Sequence, residues 1–134
     1  MRQPAVAVTL LCLFALAASA AVPFTAQNSN QAFQKNTSGG IHQILANDPK
    51  DKALIAAIRG YVEAEAARFG AGDYGKDTPG AGYLNSIKPG HLHVVYRQLL
   101  TGAAVDLIGD DGTTIDAIHK WLDAEADAQY ADSP

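Results

Sequence analysis

The sequence predicts an α+β domain in which duplicated β-β-α units form a four-stranded, mainly antiparallel sheet with two helices on one face. Two observations predict this fold. First, AIRGYVEAEA at residues 57–66 matches AIHKWLDAEA at residues 117–126 at a constant offset of sixty residues. Second, two short apolar segments separated by a turn precede each of these matching stretches. A single hairpin with one helix cannot bury its apolar face, so the two units are expected to share one sheet.

The first unit covers about residues 33–72. It begins with AFQKNTSGGIHQILA, which predicts two strands joined by a turn at Ser38-Gly39-Gly40, because glycine tolerates the positive φ angles of tight hairpins. A helix follows, with Asp48 as its expected cap and Pro49 at its first position. Its apolar stripe, interrupted only by Glu65, consists of residues at three-and-four spacing, namely Leu54, Ile55, Ile58, Tyr61, Val62 and Phe69.

The second unit covers about residues 91–130 and follows a glycine-rich segment at residues 70–90. That segment holds six glycines and two prolines, so it predicts a long loop of the kind that often carries function. The unit itself reads as HLHVVYRQLL, a turn at Thr101-Gly102, AAVDLIG and the amphipathic helix DDGTTIDAIHKWLDAEADAQ. In this helix, Thr113 together with Asp116 resembles a capping box.

Residues 1–20 are predicted to be a secretory signal peptide, because one arginine precedes a short apolar run that ends in small residues. The run is shorter than the roughly 20 apolar residues that a spanning helix needs, and no later segment is as continuous. Cleavage is expected after Ala20, with Ala21 as the near alternative. The mature protein is therefore expected to be periplasmic or secreted, without a membrane span.

The composition excludes several kinds of chemistry and partner. The single cysteine, Cys12, lies inside the predicted leader, which excludes disulfides, thiolate metal sites and cysteine nucleophiles from the mature chain. The formal charge of −4 becomes −5 once Arg2 is removed, and the lack of clustered Lys and Arg argues against nucleic acid and anionic membranes. The mature chain is expected to consist of a flexible arm at 21–32 and a single domain at 33–134.

Two histidines lie one residue apart in the predicted third strand, in the motif His91-x-His93. Side chains alternate along a strand, and both histidines are expected on the open face because the other set, Leu92, Val94 and Tyr96, is the more apolar. His42 and Asp106 join them there if the strand registers allow. Imidazole suits zinc and copper, so His91, His93, His42 and Asp106 are the candidate metal ligands. The alternative is a set of solvated surface side chains with no cofactor bound.

Three functions are compatible with these features. The favoured one is a non-catalytic domain that binds a protein or a small ligand through the bare sheet face or the glycine-rich loop, and a homodimer through that face is compatible with it. The alternative is a periplasmic copper or zinc binder that uses His91 and His93. An enzyme built around His119 would need a partner group within hydrogen-bond reach. No nucleophile elbow, phosphate-binding glycine loop or zinc-helix motif occurs in the sequence, which disfavours catalysis.

Three segments carry a resemblance to a known family. They are FQKNTSGGIHQILANDPKDKALIAAIRGYVEAEAARFGAGDY, TPGAGYLNSIKPG and AIHKWLDAEADAQ, and together they cover roughly residues 33–130. They resemble a family of small exported bacterial proteins of unknown function, some of which are labelled aspartate carbamoyltransferase. The resemblance implies export but no activity, because the phosphate-binding Ser-Thr-Arg-Thr turn and the second domain of a true carbamoyltransferase are both missing from this sequence.

Members of that family carry histidines that this chain mostly lacks. His119 is retained, whereas the other positions read Gln31-Ala32, Gly60-Tyr61, Lys76-Asp77-Thr78 and Gln129-Tyr130. If the family binds a metal through those histidines, the resemblance implies that this member has lost the ability.

Overall fold

The computed structural model describes residues 22–131, so the predicted signal peptide at 1–20 lies outside the described residues. Within the described range, the elements repeat the unit strand, strand, helix. They are β1 (Ser29–Asn36), β2 (Gly39–Ala46), α1 (Lys52–Gly70), the short α2 (Ala81–Asn85), β3 (Leu92–Leu99), β4 (Gly102–Gly109) and α3 (Gly112–Ala131). The predicted α+β fold with duplicated β-β-α units is confirmed.

The strands form one sheet in the order β1-β2-β4-β3, and every neighbouring pair is antiparallel. The two inner strands, β2 and β4, place His42 opposite Val105. Each of these residues is the fourth of its strand, so the pair marks the local two-fold axis that relates the two units. Side chains near this pair come from both units.

The turn between β1 and β2 lies one residue earlier than predicted. Residues 37–38 form it, because Asn36 pairs directly with Gly39, and the two glycines begin β2. Gly39 has a φ of 146°, which is the region that favours glycine. The glycine is therefore required at the start of the strand, beside the turn that was predicted to need it.

The two inner strands approach each other closely at both of their starting glycines. A Cβ on Gly39 would overlap the carbonyl oxygen of Leu107, and a Cβ on Gly102 would overlap that of Ile44. By contrast, a Cβ on Gly60 in the middle of α1 would meet open space. Close backbone contact therefore explains the paired strand glycines and leaves Gly60 without such a role.

Both long helices are capped by an aspartate that differs from the predicted residue. Asp51 caps α1 and Asp111 caps α3, each accepting from the backbone N–H three residues later, at 3.1 Å and 2.8 Å. Asp48 instead accepts from the backbone N–H of Lys50 at 2.8 Å, because residues 48–51 form a turn before the helix begins. The predicted cap at Thr113 is likewise displaced, since Asp111 already binds the first turn.

Both long helices cover the same face of the sheet, as predicted, and each packs across strands of the other unit. α1 lies on β4, β3 and β2, and α3 lies on β2, β1 and β4. Alternation in β3 follows the prediction, since Val94 and Tyr96 face the core while His93, Val95 and Arg97 are exposed. The two units are thus interlocked, and neither buries its apolar face by itself.

The glycine-rich segment is not a loop throughout, because it contains α2. Ala81 and Leu84 of this short helix are buried against the core. Gly80 lies directly against Trp121 of α3, where a Cβ would come within 2.5 Å of the indole ring. The segment is therefore fastened across α3.

The predicted arm at 21–32 is also attached to the domain. β1 begins at Ser29, within that range, and Phe24 is buried. The Phe24 ring meets the ring of Tyr61 edge to face at 5.1 Å, which ties the arm to α1.

Candidate functional site

His42 lies at the centre of the molecule, on the face of β2 that the helices cover, and it is only 4% exposed. The Phe33 ring from β1 stacks on its imidazole at 4.3 Å with an interplanar angle of 4°. Trp121 from α3 meets the same imidazole edge to face at 6.3 Å. An aromatic shell from both units therefore surrounds this histidine.

Both ring nitrogens of His42 are engaged. Nδ1 lies 2.8 Å from Oε1 of Glu65 on α1, and Nε2 lies 2.8 Å from Oε1 of Gln31 on β1. An ionised carboxylate only accepts, so Nδ1–H donates to Glu65. The Gln31 amide serves either protonation state of the ring, because a half-turn exchanges its acceptor for a donor. Glu65 is only 7% exposed, and this pairing explains how a carboxylate interrupts the apolar stripe of α1.

Glu125 on α3 is the counterpart of Glu65 in the repeated Ala-Glu-Ala sequence, and it has no imidazole opposite it. Its Oε1 is buried and has no hydrogen-bond partner among the described residues. Burial raises the pKa of Glu125, and the Glu65 carboxylate raises it further, although the Gly80 backbone N–H, His42 and Trp121 act in the opposite direction. The two units thus bring two carboxylates to one interior region, of which one is paired.

These side chains line a cavity of about 200 Å³ between α1 and α3. Its apolar walls are aromatic rings, those of Phe33, Tyr61, Phe69, Tyr74 and Trp121. Its polar lining includes His42, Glu65, Gln31, Glu125 and Arg68. Pockets for drug-sized ligands occupy about 300–1,000 Å³, so this cavity suits a smaller molecule.

Two tyrosines place hydroxyl groups at the cavity. Burial raises the pKa of Tyr61, with the Glu65 carboxylate adding to the effect, and burial also raises the pKa of Tyr74. Neither hydroxyl makes a hydrogen bond to another of the described residues. Both phenols are thus neutral near pH 7 and free to donate to a bound molecule.

The glycine-rich segment and the arm form the borders of the cavity. Gly75 and Thr78 of the segment line it directly. A more open groove of about 560 Å³ runs along the arm and shares Gln31, Phe33 and Glu125 with the cavity. The cavity is the stronger candidate site although the groove is larger, because the buried polar groups converge in the cavity.

The predicted metal ligands do not come together. His42 faces the helices, whereas His93 and Asp106 lie on the open face, so the expectation that His42 joins them is wrong. Asp106 is held by Arg97 through two hydrogen bonds of 2.7 Å and 3.0 Å. Because β2 pairs Ile41 with Asp106 and His42 with Val105, the register itself sends the imidazole to the opposite face.

The two histidines of the His91-x-His93 motif are separated in a similar way. His93 Nε2 lies 2.7 Å from Asp110 Oδ1. His91 precedes β3, and its Nδ1 lies 3.1 Å from Asp111 Oδ2, an ion-pair contact without hydrogen-bond geometry. Across residues 22–131, no three His, Cys, Asp or Glu side chains are grouped closely enough to hold a metal ion.

His119 has a structural contact in place of a catalytic partner. Its Nε2 lies 2.8 Å from the carbonyl oxygen of Asn36 and donates to it, which joins α3 to the end of β1. The ring is half-buried at the flank of the helix. This is the boundary position that the sequence predicts for it.

Sequence reasoning missed Glu65, Glu125 and Tyr61 as site residues. Two signals for them were present, since Glu65 occupies a stripe position of α1 and the same Ala-Glu-Ala sequence recurs in α3. A charged residue at a buried position of both repeats indicates that the two carboxylates face a common interior.

The chain matches no family model, no curated protein and no solved structure. The resemblance to the family of small exported proteins therefore stays a prediction. Within residues 22–131, none of the helices has the length and apolar character needed to cross a lipid bilayer. The fold and the site define an α+β domain made of two interlocked β-β-α units around an interior aromatic cavity.

Proposed function

We propose that this protein is an exported, non-catalytic domain that binds a small molecule in the cavity between α1 and α3. The observation that carries the proposal is a small enclosed space, about 200 Å³, whose polar lining retains unused hydrogen-bonding capacity. The Tyr61 and Tyr74 hydroxyls and the Glu125 Oε1 all lack hydrogen-bond partners among the described residues. Concave sites with aromatic walls and a few convergent polar groups are typical of small-molecule sites.

The geometry favours a small ligand over the other candidate functions. Both nitrogens of His42 are engaged, so this histidine supports the frame of the cavity. His91 and His93 each pair with a separate aspartate, which gives the copper or zinc alternative no convergent ligand set to support it. A protein partner would need an exposed surface, whereas the unused polar groups here face a space of molecular size.

The chain contains a built-in reporter for this site. Trp121 is the only tryptophan in the sequence and it lines the cavity, so its fluorescence responds to occupancy at this place. The experiment titrates the full chain with a panel of neutral, anionic and cationic molecules of about five to twelve heavy atoms. At least one compound is expected to change the Trp121 emission saturably and to raise the melting temperature.

Two variants locate the binding. Thr78→Phe adds a ring at a residue that lines the cavity, and it is expected to abolish the response. Lys76→Phe adds the same ring to the same segment at a residue outside the cavity lining, and it should bind as the wild type does. A panel without any saturable response, or binding that Thr78→Phe leaves intact, would refute the proposal.

Export is a separate part of this proposal, supported by the composition of the first twenty residues. The protein recovered from its native compartment is expected to begin at Ala21, or at Val22 if cleavage follows Ala21. N-terminal sequencing and intact mass decide this. A chain that retains Met1 in that compartment would contradict it.

A further inference from the structure

The two glutamates of the repeat differ in how their charge is balanced. The Glu65 carboxylate has the His42 imidazole at 2.8 Å. The Glu125 carboxyl has backbone and indole N–H groups nearby but no cationic side chain in contact, and its Oε1 has no hydrogen-bond partner among the described residues. A buried carboxylate without a counter-charge is unfavourable, so a cation that reached Glu125 would be bound strongly.

The walls beside Glu125 are suited to the same charge. Phe69 meets Tyr74 edge to face at 5.4 Å and meets Trp121 edge to face at 5.5 Å. Tyr61 lines the cavity from α1. The faces of such rings attract ammonium groups through their quadrupoles, and the attraction grows when the site is withdrawn from water.

We propose that the cavity binds a small organic ammonium compound, with its charged nitrogen between Glu125 and the aromatic walls of Phe69, Tyr74 and Trp121. This inference rests on the proposed function and names its ligand class. The nitrogen donates to Glu125 Oε1, the one carboxyl oxygen that the described residues leave unpaired. The alkyl part of the ligand packs on the rings, and the volume limits that part to a small group.

An anionic ligand is disfavoured by the same lining. It would enter a space that already holds two carboxyl groups, Glu65 and Glu125. Arg68 is the only arginine or lysine in the lining, and its side chain is exposed at the border of the cavity. A neutral ligand would fill the volume but would leave the Glu125 charge uncompensated.

The test compares two probes of the same shape, tert-butylammonium and tert-butanol, which differ in charge. Each is titrated into the full chain near pH 7, with Trp121 fluorescence and calorimetry as readouts. The ammonium probe is expected to bind at least about tenfold more tightly than the alcohol, the size of one charge-assisted hydrogen bond. Glu125→Gln is expected to remove that preference.

The matched control is Asp127→Asn, which removes one negative charge from an exposed position of the same helix. It should keep the preference for ammonium, whereas long-range electrostatics alone would weaken both variants equally. Melting curves of both variants establish that they fold.

Equal affinity of the two probes, or an ammonium preference that survives Glu125→Gln, overturns the inference but leaves small-molecule binding in place. A wild type that responds to neither probe but does respond to another class in the panel overturns only the ligand class. Failure of every compound overturns the proposed function as well.

Discussion

The two β-β-α units have the same frame but different interiors. At the local two-fold axis the first unit supplies His42 and the second supplies Val105. One helix supplies Glu65, which His42 pairs, and the other supplies Glu125, which has no such partner. Duplication therefore built a symmetric scaffold, and the single imidazole at its axis divides two equivalent carboxylates into a structural one and an available one.

The elements that the units share are those that maintain the frame. Each inner strand begins with a glycine that touches the opposite inner strand, and each long helix begins after a capping aspartate. Differences are confined to the axis and to the segment after α1, which crosses α3 at Gly80 and closes the cavity. The four experiments that follow break or sharpen this comparison, starting with the largest expected effect.

Removing the imidazole should have the largest effect on stability. His42→Leu leaves Glu65 buried without its partner, and such a loss typically costs about 3–5 kcal/mol of the free energy of unfolding. Urea denaturation measures it. The double variant His42→Leu, Glu65→Leu should recover most of the loss, because an apolar pair of similar size replaces the buried ion pair. A single variant that loses less than about 1 kcal/mol would show that the pair is not a structural element.

Adding a methyl group at either starting glycine should separate the inner strands. Gly39→Ala and Gly102→Ala each force a Cβ against a carbonyl oxygen, with an expected loss of about 1–3 kcal/mol. Gly39→Ala should lose more, because its φ of 146° also disfavours alanine. Gly60→Ala is the matched control, since it lies in open space within α1 and should gain up to about 1 kcal/mol. Thermal melts would contradict the close approach if all three variants behaved alike.

The two caps should respond alike to removal at neutral pH. Asp51→Ala is expected to lose about 1 kcal/mol, and Asp111→Ala should also lower the melting temperature. The Thr114 backbone N–H, and to a smaller extent His91, lowers the pKa of Asp111 below its usual value. A lowered folded-state pKa adds stability above the unfolded value, and this stability is lost as the pH falls through the folded value. The difference between wild type and Asp111→Ala should therefore disappear in acid. A difference that persisted unchanged in acid would contradict capping by the ionised carboxylate.

Neutralising the unpaired glutamate should have the smallest effect, and it should be stabilising. The raised pKa of Glu125 means that ionisation disfavours the fold, so the destabilisation appears as the pH rises through the folded-state pKa and is absent below the unfolded value. Glu125→Gln should gain less than about 1 kcal/mol at neutral pH, because solvent screens a partly buried group. Asp127→Asn, on the exposed side of the same helix, should change little. Paired melts at neutral and acidic pH would oppose this account if Glu125→Gln were destabilising in both.

Local sequence patterns predicted much of the fold and little of the site. The alternation in β3 was read correctly, because its two faces differ strongly in polarity. In β2 the outward set, Ile41, Gln43 and Leu45, is nearly as apolar as the inward set, His42, Ile44 and Ala46. The direction of the His42 side chain therefore had no local signal, and the error moved it from the interior to the open face.

By themselves, the amino acids determined the repeated strand-strand-helix unit, the hairpins and the amphipathic helices. Turn residues, caps and periodic apolar positions act over a few neighbours, so their effects are visible along the chain. Only the tertiary structure decided that each helix lies across the other unit, and hence that one imidazole and two glutamates from distant segments meet around a cavity. Such a meeting depends on strand register and helix crossing, which long-range packing sets.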